Sequence, residues 1–443
     1  MGRSYTNELD YSPTGLIKLT LPILLALWST HLLNIVNRAL LLQHSPAVLN
    51  VAALSISYCG AFTAFFYRVA RIASVYTGQL NGARDHQHLA SPMWQMIYLA
   101  LFSTLFFLPM TYLVQYSPLL PDNYANEIMH YRQLIFGTAP FFIAYTALLA
   151  FFNGKGKTKL IATITIAGGV IRTLLNYLLI GGIPGKLPAL GAIGNAYAQI
   201  FVKIVEFSIL GYCLIAGAHV KIDWQTCRFN LKLFLNCIKT GFPLALNSFL
   251  ALAIWHLIHL KLSHYSTELT TAWSISSSIF ICLNFASQGI GKATAIAVSN
   301  LIGKQNLSAI HQVYRRFLLI SLVLALILGG ILTAIFFYLS RLYPQVNLTI
   351  VLIWIYINLV IELLLATTNG VLRAGGDTLF PQLMQQVSLW LVVALPILYL
   401  FLTDKINSIV TIYQCSAVWS GLNLVYTYYR YRSLVWYCPL GIT

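Results

Sequence analysis

Glu362 stands in Ile357-Asn-Leu-Val-Ile-Glu-Leu-Leu-Leu, a run whose one other polar residue is Asn358, a helical turn earlier on the same face. No basic residue lies within a turn of it. A carboxyl kept from water in this way can load and release a proton near neutral pH. Its bland alternative is a protonated or paired structural glutamate. Glu206 is the other acid deep in an apolar run, and Lys203 precedes it by three residues, the spacing of an intrahelical ion pair. Eight cations share such runs: Arg38, Arg68, Arg71, Arg132, Arg172, Lys203, Lys261 and Lys292. Arg68 and Arg71 share a helical face, as do Asn34 and Arg38. Turned inward, their forks would suit carboxylate or phosphate. Turned outward, Arg38 and Arg132 would snorkel to the headgroups, and Arg172 could pair with Glu206. His256 and His259, at i,i+3, could form a proton or metal site, or fill an interface.

These residues need elements long enough to hold them at bilayer depth. The 443 residues are 58% hydrophobic and 9% charged, against about 25% charged in a soluble domain. About 20 apolar residues cross a bilayer, and on that measure the chain holds twelve spans, from about 16–42 to about 407–429. A charge at that depth costs roughly 2.5–3.5 kcal/mol, so it faces a bundle interior or a wet cavity. No signal peptide is expected, because the first run is too long for one. Seven scattered cysteines show no paired spacing and read as small apolar fillers rather than a metal site or disulfide framework. The net charge of +16 sits mostly in short loops, which speaks against a nucleic-acid partner. One set of loops with both termini carries sixteen Lys and Arg against three in the other, which predicts cytoplasmic termini.

The chain is also internally duplicated. Pro22 and Pro243 each open an apolar run 221 residues apart, and Gly82 and Gly303 mark polar loops at the same separation. Gly156 and Gly376, in Asn153-Gly-Lys-Gly-Lys-Thr and Arg373-Ala-Gly-Gly-Asp-Thr, are 220 apart. Six spans per half predict an all-α integral membrane protein of two six-helix lobes, related by a pseudo-two-fold along the membrane normal. The expected lobes are 1–217 and 241–430, joined by a cytoplasmic interfacial linker at 218–240 and followed by a tail at 431–443.

In this order and spacing the landmarks resemble the multidrug and toxic compound extrusion (MATE) family. The resemblance rests on the twelve spans, the two prolines, Gln79-Leu-Asn-Gly-Ala and its partner near Gly303, Leu190-Gly-Ala-Ile-Gly-Asn-Ala-Tyr-Ala, and Val371-Leu-Arg-Ala-Gly-Gly-Asp-Thr. It implies two lobes around a cleft, no ATP site, and exchange of a proton or sodium ion for an exported solute. The sequence independently lacks G-x-x-x-x-G-K-[ST]. Glu362 matches the family's acidic position in the tenth helix, and Asn358 beside it on the same face is the second expected cation-coupling residue. In the amino-terminal lobe the chain departs from the pattern. Asn37 stands for an aspartate, and Arg172 with Asn176 for an asparagine–aspartate pair. Arg offers only donors, so a Na⁺ or shared-proton site is hard to build there. Arg38, Arg68, Arg71, Arg172, Asn37 and Asn176 are the expected substrate-cleft residues, and Lys203 with Glu206 an expected ion pair.

The reading is a secondary active exporter in the inner membrane, working as a monomer without a cofactor, on a lipophilic cation or an anionic metabolite such as a siderophore. A lipid-linked precursor flippase of the same superfamily is the alternative. An enzyme is disfavoured because no HExxH, GxSxG or paired acids occur, and a channel because charged rings are few.

Overall fold

A computed structural model describes residues 9–114, 125–183, 185, 188–216, 224–265, 267–342, 349–403 and 408–437. Every regular element among them is helical, and twelve helices are long: α1 Pro13–His44, α2 Pro46–Gly82, α3 Ser91–Leu113, α4 Ala125–Gly154, α5 Thr158–Gly181, α6 Gly191–Ala216, α7 Leu231–Tyr265, α8 Thr267–Gly303, α9 Leu307–Leu342, α10 Thr349–Ala374, α11 Leu379–Leu402 and α12 Val410–Arg432. The first eleven are long and apolar enough to cross a bilayer. The twelfth is long enough but polar. Its Tyr413, Ser416, Ser420, Asn423 and Thr427 recur every three or four residues and are all buried, so the polarity lies on an inward stripe.

Helix ends follow local chemistry. Ser45 caps α2 by accepting from the Ala47 amide at 3.2 Å, with Pro46 in the first turn. Asn230 caps α7 by accepting from the Leu233 amide at 3.0 Å. That cap corrects the expected linker: from Leu231 the chain is already α7, and only the single turn Trp224–Cys227 precedes it. Gln95 and Tyr98 of α3 hold this turn, taking the Asn230 amide at 3.1 Å and donating to the Arg228 and Cys227 carbonyls at 3.1 and 2.7 Å. The rest of that linker, 218–223, and the expected cytoplasmic ends 1–8 and 438–443 lie outside the described residues.

Two helices are interrupted. In α2 the Arg71 carbonyl is taken by both the amide and the hydroxyl of Ser74, at 3.1 and 2.9 Å, which tightens the turn between Ala70 and Ala73. In α11 the ladder widens to a π turn over Trp390–Ala394, just before Pro396, which has no N–H to return to the preceding turn.

The chain forms two compact units. Leu25–Ala245 is one. Leu246 onward, with the chain up to Leu24, is the other. The boundaries fall inside α1 and α7, just past Pro22 and Pro243. The start of α1 therefore belongs with the second half, where Arg316 donates to the Tyr11 carbonyl at 2.5 Å. The start of α7 belongs with the first half, where the hydroxyls of Tyr76 and Thr240 lie 3.1 Å apart.

Each unit repeats one plan. In the first, α4 packs against α2, α3 and α6; in the second, α10 packs against α8, α9 and α12. The duplicated turns share their backbone. Arg84 and Gln305, 221 residues apart, both have positive φ, of 60° and 54°. The Asp85 amide reaches the Leu80 carbonyl at 3.0 Å, and the Asn306 amide reaches that of Leu301 at 3.2 Å. Gly156 and Gly376 likewise have φ of 72° and 81°, where a glycine is needed to close the helix.

Candidate functional site

The first unit contains a half-open pocket between α1, α5 and α6, with a cavity volume of about 60 Å³. Each helix contributes residues at the same i, i+3, i+4, i+7 spacing: Thr30, Leu33, Asn34 and Asn37; Thr165, Gly168, Gly169 and Arg172; Gln199, Val202, Lys203 and Glu206. That spacing is one face of a helix, so three faces converge.

Glu206 is 2% exposed. Lys203 Nζ donates to its Oε2 at 2.6 Å, as the spacing predicted, and the Tyr145 hydroxyl of α4 donates to the same oxygen. The ammonium also lies 4.6 Å over the Tyr145 ring. A side chain at Gly168 would overlap the Glu206 carboxylate, so the α5 backbone leaves room for the acid only because that residue is glycine.

Arg172 does not pair with Glu206. Its Nη1 donates to Asn34 Oδ1 at 3.4 Å and its Nη2 to Asn195 Oδ1 at 3.2 Å, while Asn195 Nδ2 donates to the Tyr131 hydroxyl at 2.9 Å. Both acceptors are neutral amides. The pocket therefore holds two cations and one carboxylate. Asn37 is 4% exposed and its Oδ1 finds no protein partner. Asn176, one turn beyond Arg172, is fully buried with neither amide atom partnered by protein, but does not line the pocket.

The structure does not bring the remaining arginines here. Arg38, Arg68 and Arg71 are exposed and none of them lines this pocket. Arg132 is instead buried, with its guanidinium 4.1 Å over the Tyr58 ring.

In the second unit, Glu362 is half-buried and its Oε1 accepts from Ser420 Oγ of α12 at 2.6 Å. No Lys or Arg among the described residues forms an ion pair with it. One turn earlier Asn358 is fully buried, its Nδ2 donates to Ser416 Oγ at 2.8 Å, and its Oδ1 has no protein partner. Positions 358 and 362 of α10 thus face 416 and 420 of α12 as two rungs. Elsewhere in this unit Asn247 of α7 donates to Gln382 and Gln385 of α11 at 2.5 and 3.0 Å, and Gln386 donates to the Asn247 carbonyl at 2.9 Å. His256 and His259 are both exposed on α7, and no three His, Cys, Asp or Glu side chains converge among the described residues.

Sequence reasoning missed Tyr145, Gly168, Asn195 and the Ser416–Ser420 pair. Asn195 carried a signal, because it lies in the Leu190–Ala198 landmark. The serines carried one too, because their spacing of four repeats that of Asn358 and Glu362. Tyr145 carried none, since 61 residues separate it from its partner.

The MatE family matches residues 22–178 and 243–400, one match in each half. A "Probable multidrug resistance protein NorM" of Pasteurella multocida is 28% identical over 335 residues, 72% of this chain and 70% of the relative. Another of that name, from Oceanobacillus iheyensis, is 24% identical over 408 residues, 87% and 88% of the two chains. A crystal structure of "MATE in the straight conformation" aligns with a TM-score of 0.83 at 14% identity, covering 95% of this chain and 97% of the other, and so supports the fold.

Proposed function

The chain belongs to the MatE family, whose members are multi-pass membrane transporters and not enzymes, and from that premise we propose that it is a secondary active exporter of a small organic solute, driven by a proton or sodium gradient through alternating access. The first-unit pocket is the solute site and Glu362 the coupling carboxylate. The protein works in a bacterial inner membrane with both termini in the cytoplasm.

The observation that carries this reading is Glu362. Its carboxylate lies mid-helix in a span, faced by a hydroxyl and, among the described residues, by no ion-pair partner. Holding a bare charge there is costly. A proton or Na⁺ relieves that cost, and its loss restores it, so occupancy is tied to which side of the membrane the site faces. Asn358 Oδ1, an unpartnered carbonyl oxygen one turn away, is a second ligand of the kind a hard cation takes.

Proteoliposomes under an imposed pH or Na⁺ gradient test the reading, with ethidium and carboxyfluorescein as cationic and anionic probes. Wild type moves at least one of them against its own gradient. Glu362→Gln, checked for folding by gel filtration, moves neither above protein-free vesicles. Equal gradient-driven rates in the two proteins would overturn the assignment.

A further inference from the structure

We propose that the first-unit pocket is a subsite for the carboxylate of an organic acid with an apolar body, bound by Arg172 with Lys203 as the second cation. This deepens the exporter reading and rests on it. Arg172 and Lys203 supply two positive charges to the pocket, and Glu206 supplies one negative. Glu206 is committed: Lys203 and Tyr145 both donate to one of its oxygens. Arg172 feels the Glu206 charge but makes no hydrogen bond to an acid among the described residues. Its hydrogen bonds go to two neutral amide oxygens, one of them long at 3.4 Å, and its buried Nε has no protein partner. A guanidinium stays charged in a protein. Amide dipoles solvate that charge without cancelling it, so the pocket keeps a net charge of one positive unit.

A ligand of positive charge meets repulsion there, and a carboxylate meets the planar fork that fits it. Leu33 and Val202 give the wall an apolar part, so the body of the acid is hydrophobic. Asn37 Oδ1, buried and unpartnered, accepts from a hydroxyl or N–H elsewhere on the ligand. The competing explanation is that Arg172 merely ties α1, α5 and α6 together through Asn34 and Asn195. That role predicts a stability change but no discrimination between ligands of different charge.

Benzoate, benzamide and benzamidine separate the two. They have nearly one shape, and carry negative, zero and positive charge. Isothermal titration of the full chain in detergent should rank benzoate tightest and benzamidine weakest. Arg172→Gln should weaken benzoate by about 10- to 150-fold, the span of a hydrogen bond to a charged group, and leave benzamide unchanged. Arg172→Lys keeps the charge, guards against misfolding, and should fall between. Glu206→Gln releases Lys203 from its internal counter-ion and should tighten benzoate, a gain that a structural tie does not produce. Benzamidine binding tighter than benzoate, benzoate indifferent to Arg172→Gln, or no binding of any of the three overturns the inference. Failure here with gradient-driven ethidium transport intact sinks the anion subsite alone. Benzoate binding without gradient-driven movement of any probe sinks the exporter reading alone.

Discussion

The two units share a plan but not a charge pattern. Shifting Arg172 forward by the 221-residue repeat lands on Val393, and shifting Glu362 back by 220 lands on Phe142. Turns, caps and packing order were kept in both copies while the buried ionisable groups were placed on different helices. In the first unit they are gathered around a pocket, fixed by an amide-held arginine and an internal ion pair. In the second the Glu362 carboxylate faces a serine. A guanidinium cannot release its proton at any working pH, whereas a carboxylate can. Under the proposed function, a fixed attraction sits in one unit and a switch in the other. The contrast also constrains coupling: protonating Glu206 would make the pocket more positive and tighten an anion, which favours moving both the same way. Antiport of an anion against a proton needs the proton to bind elsewhere, and Glu362 is elsewhere.

The largest effect follows from that division. If an anion leaves while a cation enters, both movements carry positive charge inward. Carboxyfluorescein export should then be strongly stimulated by an inside-negative potential set with valinomycin and K⁺. Each charge crossing 100 mV gains about 2.3 kcal/mol, close to a fiftyfold bias. Glu362→Gln should abolish gradient-driven flux, while Arg172→Gln should lower flux and leave the response to the gradient in place. If the two variants lose the same property, the division of labour is wrong.

A glycine comparison is next in size. Gly168→Ala pushes a methyl into the Glu206 carboxylate, and breaking a buried pair typically costs 3–5 kcal/mol. Gly421→Ala, on α12 of the second unit, meets nothing within 4 Å and should be neutral or gain up to about 1 kcal/mol of helix propensity. Thermal unfolding in detergent should show a large fall for the first and none for the second. Smaller still are the hydroxyls serving each glutamate. Tyr145→Phe removes one of two donors to a fully buried acid and should cost about 1.5–3 kcal/mol. Ser420→Ala removes the donor to a half-buried one and should cost less. A reversed order would mean that Glu206 is better solvated than its surroundings indicate.

Most of the scaffold could be read from the residues alone because lipid simplifies the problem. A span must satisfy its backbone internally, so length and apolarity suffice to find it. The two prolines and the polar turns fix the repeat, and the Lys203–Glu206 pair follows from helical spacing. What escaped was contact between helices. Nothing local says that Arg172 meets Asn34 and Asn195 instead of Glu206, or that Tyr145 closes on Glu206 from α4. Nor does a count of arginines tell which face Arg38, Arg68 and Arg71 occupy. The break at Arg71–Ile72 depends on one serine capturing a carbonyl, which apolar periodicity does not register.

The smallest expected effect tests the duplication itself, in two matching turns outside the spans. Asp85 follows α2 and Asn306 follows α8, 221 residues apart. Asp85 Oδ1 accepts from the His88 amide at 3.1 Å, and Asn306 Oδ1 accepts from the Ala309 amide at 3.0 Å, so the same cap is built from an acid in one copy and an amide in the other. Partial burial works to raise the Asp85 carboxyl, but the hydrogen bonds from the His88 side chain and from the His88 and Gln87 amides outweigh it and hold the group below the ordinary carboxylate value. A carboxyl lowered by folding contributes stability above its unfolded value, near 4, and loses it as pH falls through the folded value. The cap at Asp85 should therefore weaken below about pH 4 while the cap at Asn306 does not. Solvent screening at this exposed site keeps the change under about 1 kcal/mol. Amide hydrogen exchange measured from pH 5 to pH 3, and referenced to the intrinsic rate at each pH, should show His88 losing protection and Ala309 keeping it. Asp85→Asn should remove the acid response without removing the cap, and Asn306→Asp should install it in the second copy. Equal responses at His88 and Ala309 in the wild type would show that the two turns are held by something other than these side chains.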